Sequence, residues 1–246
     1  VCENDKPIIR TDGTAMPTLE LKDKIEPVLW ERYKNLYVST ELIPCGTRWN
    51  AIPQIHKLAT LDNALMQRLE TKAKTVMQLL TRNNNNWEQT CYQLLCRNFG
   101  FTINAEPMFR LSELVSYAFI QKHLDKRLQV EALLFGAGGF LDVASDDEYV
   151  LLLKREYDLL RRKYSLDGRQ MNLSQWKFLR LRPANFATVR IAQLAALLAG
   201  QRNLFSKIIE ATHYKQVLEL FEAEQSAYWL SHYRFGVKSK TAVPPL

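Results

Sequence analysis

Residues 56–80 read HKLATLDNALMQRLETKAKTVMQLL, and this run decides the fold class. Leu58, Leu61, Leu65, Leu69, Ala73, Val76 and Leu80 recur at steps of three or four. That spacing places them on one face of an α-helix, in a stripe about seven turns long. The helical pattern then persists to the C-terminus. Asn83 to Asn86 end the stripe, and Asn86 is placed to cap the next helix, with Gln89 three residues on as in a capping box. That helix is expected to bury Trp87, Cys91, Leu94 and Leu95 and to stop at Gly100. A helix through Pro107–His123 follows, then RLQVEALLFGAGG at 127–139, which ends at its glycines. Asp146, Asp147 and Glu148 open a helix that closes on Arg161, Arg162 and Lys163, with acids and bases at the ends the helix dipole favours. A loop containing Gly168 leads to WKFLRLRPANFATVRIAQLAALLAG at 176–200, where Ile191, Leu194, Ala195 and Leu198 share one face. Two or three shorter helices are expected at about 203–210 and 213–230.

Residues 1–45 differ from this. Short extended pieces, KPIIR and PTLEL, flank the turn signal Thr11-Asp12-Gly13, with Pro17 after it. They read as a hairpin or the remnant of a sheet. A short helix follows with Pro27 in its first turn and Val28, Leu29, Tyr33 and Leu36 on one face, then the loop IPCGTRWNAIP. The expectation is a mainly α fold: an irregular bundle of seven to nine helices with a small extended N-terminal segment. The division expected is 1–45, an extended remnant plus a short helix, and 46–246, a helical domain.

The chain has 246 residues, enough for a sizeable core, with an ordinary 47% apolar and 24% charged composition. No apolar run approaches the roughly 18 residues of a membrane span, and VCENDKPIIRTDG lacks a signal peptide's basic start and apolar stretch. Cys2, Cys45, Cys91 and Cys96 form no CxxC pair, so four reduced thiols in a cytoplasmic setting are expected and no metal site. With no Met at its start and VPPL at its end, the sequence reads as a piece of a longer protein.

No catalytic motif stands out. GAGG at 136–139 lacks the Lys-Ser/Thr of a phosphate loop and follows a helix rather than a strand, so it reads as a helix end and turn. His56, His123, His213 and His232 are scattered, and only His123, with Asp125 and Glu131 nearby in sequence, offers an acid–base pairing. Glu88 and Glu106 stand in partly apolar settings but fit the first turns of helices.

Charge is more informative. Residues 154–190 hold ten Lys/Arg against three Asp/Glu, a surplus of +7 that equals the net charge of the whole chain. Tyr157, Tyr164, Trp176, Phe178 and Phe186 interleave with those cations. Guanidiniums grip phosphates and aromatic faces stack on bases, so this segment is the candidate surface for a polyanion or nucleic acid. The candidates are Arg161, Arg162, Lys163, Lys177, Arg180, Arg182, Asn185 and Arg190, with Asn185 placed to cap the last long helix. The competing reading is a helix corner whose aromatics are core. YWLSHYRFGVKSK, near the C-terminus, is a second aromatic and basic patch.

Three stretches, NWEQTCYQLLCRNFGFTINAEPM (86–108), VEALLFGAGGFLD (130–142) and above all WKFLRLRPANFATVRIAQLA (176–195), resemble an uncharacterised family of Bacteroidetes-type bacteria, domain of unknown function 2851. The likeness covers nearly the whole chain. It departs at Ala137, where a similar FGQAG stretch has a longer polar residue, which puts a polar role there in doubt. The resemblance implies a helical portion of a larger α+β protein, with an upstream His- and acid-rich segment and further chain downstream. It carries no activity, cofactor or catalytic residue. A polyanion-binding helical module is therefore the first functional expectation. The alternatives are the helical half of a hydrolase or nuclease whose catalytic groups lie upstream, and an interaction scaffold.

Overall fold

A computed structural model describes residues 8–17, 24–43, 46–240 and 242–243. Cys2, Cys45, most of PTLEL and the last residues lie outside these. Among the described residues are eleven α-helices and one two-stranded sheet, so the chain is mainly α. The count exceeds the seven to nine expected, in part because one long helix is divided. The predicted helix over Pro107–His123 is α4 (Ala105–Leu114) and the single turn α5 (Tyr117–Ile120), separated by extended backbone at Val115 and Ser116. The 213–230 span holds α10 (Tyr214–Leu220) and α11 (Ala227–Ser231), which makes three shorter helices among the described residues after 200, where two or three are expected.

The chain divides into two compact units, 1–72 and 73–246. The boundary falls inside α2 (Gln54–Arg82). In the first unit, Ile9 and Ala15 form an antiparallel bridge around Thr11-Asp12-Gly13, the turn read from sequence. Helix α1 (Pro27–Tyr37) begins at its proline, and a 3₁₀ turn spans Gly46–Ala51. None of this unit's described residues is buried. The apolar faces read for α1 and for the first half of α2, including Leu58, Leu61, Leu65 and Leu69, are exposed rather than core. The stripe is buried only at its far end, by Leu79 and Leu80 in the second unit. So few elements enclose too little apolar surface for a core of their own.

In the second unit, Asn86 caps α3 (Trp87–Phe99) by accepting the Gln89 N–H at 2.9 Å, and Gly100 ends it. The face it buries is Thr90, Tyr92, Gln93, Cys96 and Phe99; Trp87 is exposed and Cys91, Leu94 and Leu95 are half-buried, a rotation from the expected face. Helix α6 (Arg127–Ala137) packs on α4, on α7 (Glu148–Lys163) and on α8 (Ala187–Gly200). It is buried without interruption from Val130 to Ala137, and α8 at eleven positions between Ala187 and Leu198. Helices apolar all round belong at the centre of a bundle. The remaining helix, α9 (Leu204–Glu210), packs on α3 and α10. Strands β1 (His232–Arg234) and β2 (Val237–Lys238) pair antiparallel around Gly236.

The glycines of GAGG end a helix, as the sequence indicated. Gly138 caps α6, and Gly139 takes φ +78° where a Cβ would meet the Met171 carbonyl oxygen at 2.1 Å. Gly136 has a packing role: a Cβ there would lie 2.2 Å from the Tyr157 ring. Gly136→Ala should therefore lower unfolding free energy by about 1–3 kcal/mol in urea titration. Gly200→Ala, with no atom within 4 Å of the added carbon, should shift it by less than about 1 kcal/mol. Equal effects of the two would contradict this packing account.

Candidate functional site

The segment from Trp176 to Arg190 is a corner tied down from inside. The Trp176 indole donates to the Gly138 carbonyl at 2.8 Å. Asn104 closes a reciprocal pair with the Lys177 backbone, both bonds 2.9 Å. Phe178 meets Phe140 and Phe186 edge-on. Arg180 takes φ +61°, a left-handed turn, and Pro183–Asn185 wind one 3₁₀ turn before α8. Asn185 does not cap α8: the cap position is Phe186, which offers no side-chain bond. The 3₁₀ turn uses the residue that would otherwise cap, and Asn185 Oδ1 instead accepts from Arg190 at 2.5 Å.

Of the candidate residues, Arg190 and Asn185 are thus brought together. Arg190 also donates to Gln193 Oε1 at 2.9 Å and lies 4.4 Å from the Phe101 ring centroid. Its Nε is buried without a hydrogen bond, and burial pushes the guanidinium pKa down. This half-buried cation, surrounded by amides and a ring, has no counter-ion among the described residues. Arg180, Arg182 and Lys177 are exposed. At the end of α7, Arg161 faces Asp158 at 3.0 Å and Asp167 at 3.6 Å, Arg162 is exposed, and Lys163 lies over the Tyr164 ring. No hydrogen bond, ion pair or ring contact among the described residues joins this α7 trio to the 177–190 corner.

The interleaved aromatics divide differently from the cations. Tyr157, Trp176 and Phe186 are buried, and Tyr164 and Phe178 are half-buried against the core. Seven of the ten cations in 154–190 are exposed, and only Arg161 has a carboxylate partner among the described residues. The segment therefore contributes rings to the interior and leaves its charge outside.

The likeness seen in 86–108, 130–142 and 176–195 falls on the α3–α4 pair, α6 and this corner, and the match of the family model runs on through residues 1–246. The chain belongs to the family described as protein of unknown function (DUF2851). No curated protein and no solved structure matches it. No helix among the described residues is long and apolar enough to cross a membrane.

His123 has other partners than the acids adjacent in sequence. It is buried, with Nδ1 2.6 Å from Gln129 Oε1 and Nε2 2.7 Å from the Tyr164 hydroxyl. Gln129 spends its amide donor on Glu156 at 2.9 Å, so its oxygen must receive the Nδ1 proton while Tyr164 donates to Nε2. Glu131 lies elsewhere, accepting from Tyr149 at 2.6 Å. Glu88 and Glu106 occupy first turns, and Glu88 accepts from Gln121. Burial lowers the His123 pKa from 6.5, and Lys163 and Lys126 act in the same direction.

A cavity of about 430 Å³ that the sequence did not reveal lies beside the corner, between Phe140, Leu173, Phe178, Phe235, Thr188 and Arg234. Arg234 belongs to the C-terminal aromatic and basic patch, but nothing in the spacing indicated that it would reach Phe178. Lining of this kind comes from tertiary packing.

His123 is neutral in the folded protein at pH 7. Its depressed value makes stability fully present above about pH 6.5, the unfolded value, and progressively lost as pH falls below it. Ring titration by NMR should give a His123 pKa below 6.5, and Lys163→Gln should raise it by removing a like charge. A value at or above 6.5 would refute the buried neutral imidazole.

Proposed function

We propose that the helical unit binds a polyanion, nucleic acid first, on the cations of 154–190. The observation that carries this reading is the exposure of Arg155, Arg162, Lys163, Arg169, Lys177, Arg180 and Arg182 without carboxylate partners among the described residues. A segment that concentrates the chain's whole surplus of +7 and leaves seven cations exposed attracts phosphates at long range. Arg190, half-buried with no counter-ion among the described residues, adds a positive site at the 177–190 corner. Free thiols at Cys91 and Cys96 fit a reducing cytoplasmic setting, which is part of the same proposal. A hydrolase half-site would need His123, Arg182 and Arg190 to converge, and the contacts of His123 and Arg190 lie with different partners.

The test is affinity for single-stranded and duplex oligonucleotides at two salt concentrations. Log affinity should fall against log salt with a slope of roughly −0.7 to −0.9 per contacted phosphate. Arg180→Ala/Arg182→Ala should weaken binding for all sequences alike and flatten that slope by about one per lost contact. An absence of binding at low salt, or a double variant with unchanged salt dependence, would reject the proposal.

A further inference from the structure

We infer that the cavity beside Arg234 is a binding site for a small amphiphile carrying a single carboxylate on an apolar body. Its volume of about 430 Å³ falls within the range of small-molecule pockets, roughly 300–1,000 Å³. Phe140, Leu173, Phe178 and Phe235 supply apolar wall, and among the described residues Arg234 is the only charged one in the lining.

These walls are set by the core rather than by loops alone. Phe140 packs against Phe135 and Trp176, Phe235 against Phe135 and Trp229, and Phe178 against Phe186. A pocket so anchored exists before ligand arrives, which spares the ligand an ordering cost. Thr188 donates its hydroxyl to the Tyr233 carbonyl, so it lines the cavity without presenting a free donor. It stands in the first turn of α8, which starts with no side-chain cap, so the positive end of that helix lies in the same wall.

Arg234 decides the ligand class. Its guanidinium lies 4.7 Å from the Phe178 ring centroid and 4.8 Å from that of Phe186. Two aromatic contacts fix the guanidinium and spend none of its N–H donors. No hydrogen bond or ion pair among the described residues takes those donors. A fixed guanidinium fork is complementary to a planar anion with two oxygens, and the apolar wall to a hydrocarbon or aromatic body. One cation matches one negative charge, whereas a phosphate monoester would bring a second charge with no partner in the lining.

The experiment is calorimetric titration of the 246-residue chain with octanoate, octan-1-ol and octyl phosphate. Octanoate should bind saturably at one site, with the alcohol about ten- to a hundredfold weaker for want of a charge-assisted pair. Octyl phosphate should also be weaker. Arg234→Gln should reduce octanoate affinity by a similar factor. Arg234→Lys should not restore it, because an ammonium lacks the fork. Ala144→Trp, at an exposed position in the lining, should block the site without disturbing the core. No octanoate binding, equal binding of octanoate and octanol, tighter binding of octyl phosphate, or full affinity in both Arg234→Gln and Ala144→Trp would each overturn the inference. The site is independent of the polyanion surface: Ala144→Trp should leave oligonucleotide affinity unchanged, so either reading can fail while the other stands.

Discussion

The second unit depends on a close approach between α6 and α7 at Gly136. With no Cβ at that position the Tyr157 ring rests against the α6 backbone, and α6 can be covered by α7 on one side and α8 on another. Burial of α6 on all faces follows, from Val130 to Ala137. Once α6 is enclosed, the chain beyond it must turn sharply. Gly139 supplies the left-handed backbone, and its missing Cβ admits the Met171 carbonyl. The same turn brings the Met171 N–H to the Ala137 carbonyl at 2.8 Å and the Gly138 carbonyl to the Trp176 indole. The corner that carries Arg180 and Arg182 is thus hung from the end of α6.

A buried polar network attaches the C-terminal segment to the same helix. Glu131 is 1% exposed, and its Oε2 accepts from the Tyr149 hydroxyl, which in turn receives the Trp229 indole N–H at 3.0 Å. Burial raises the Glu131 carboxyl pKa and pushes the Tyr149 hydroxyl up as well, so the tyrosine keeps the proton it donates. Tyr149 stacks on Tyr228, and Tyr228 on His232, while the Tyr228 hydroxyl bridges Asp147 and the Gly236 N–H. Residues 226–236 are consequently fixed with respect to α6 and α7. That is what holds Arg234 steady enough for its position between Phe178 and Phe186 to define a site.

Local signals in the sequence were legible where local physics decides. Asn86 capping α3, Asp147 opening α7, Pro27 beginning α1 and the glycines ending α6 all follow from backbone groups within a few residues. Periodicity located the helices but not their partners. The Leu58–Leu69 face is as apolar as the buried end of the same stripe, yet those four leucines are exposed while Leu79 and Leu80 are core. Nor could periodicity foresee the break at Val115 and Ser116, or Asn185 losing the cap to a 3₁₀ turn. Among the candidate residues, the pairing of Arg190 with Asn185, five apart and reaching out of α8, follows from the 3₁₀ turn and not from helical spacing. The Phe178–Arg234–Phe186 arrangement is likewise outside the reach of spacing, since it joins residues far apart in sequence through a corner and a hairpin.

The basic segment presented two readings, buried corner or exposed grip, and the structure divides them by chemistry rather than by position. Rings can enter a core at little cost, so Tyr157, Trp176 and Phe186 do. Guanidiniums and ammoniums leave water only when something compensates their charge. Arg190 is compensated in part, by two amide oxygens and the face of Phe101. Arg180 and Arg182 have no such partners among the described residues and are exposed. Interleaving cations with aromatics is therefore a consistent way to build one chain segment with an interior and an exterior, without any ligand being required. Residual charge remains: seven exposed cations have no carboxylate partner among the described residues, in thirty-seven residues that carry three acids. That excess repels itself and costs stability, and an anion that neutralises it would relieve the cost.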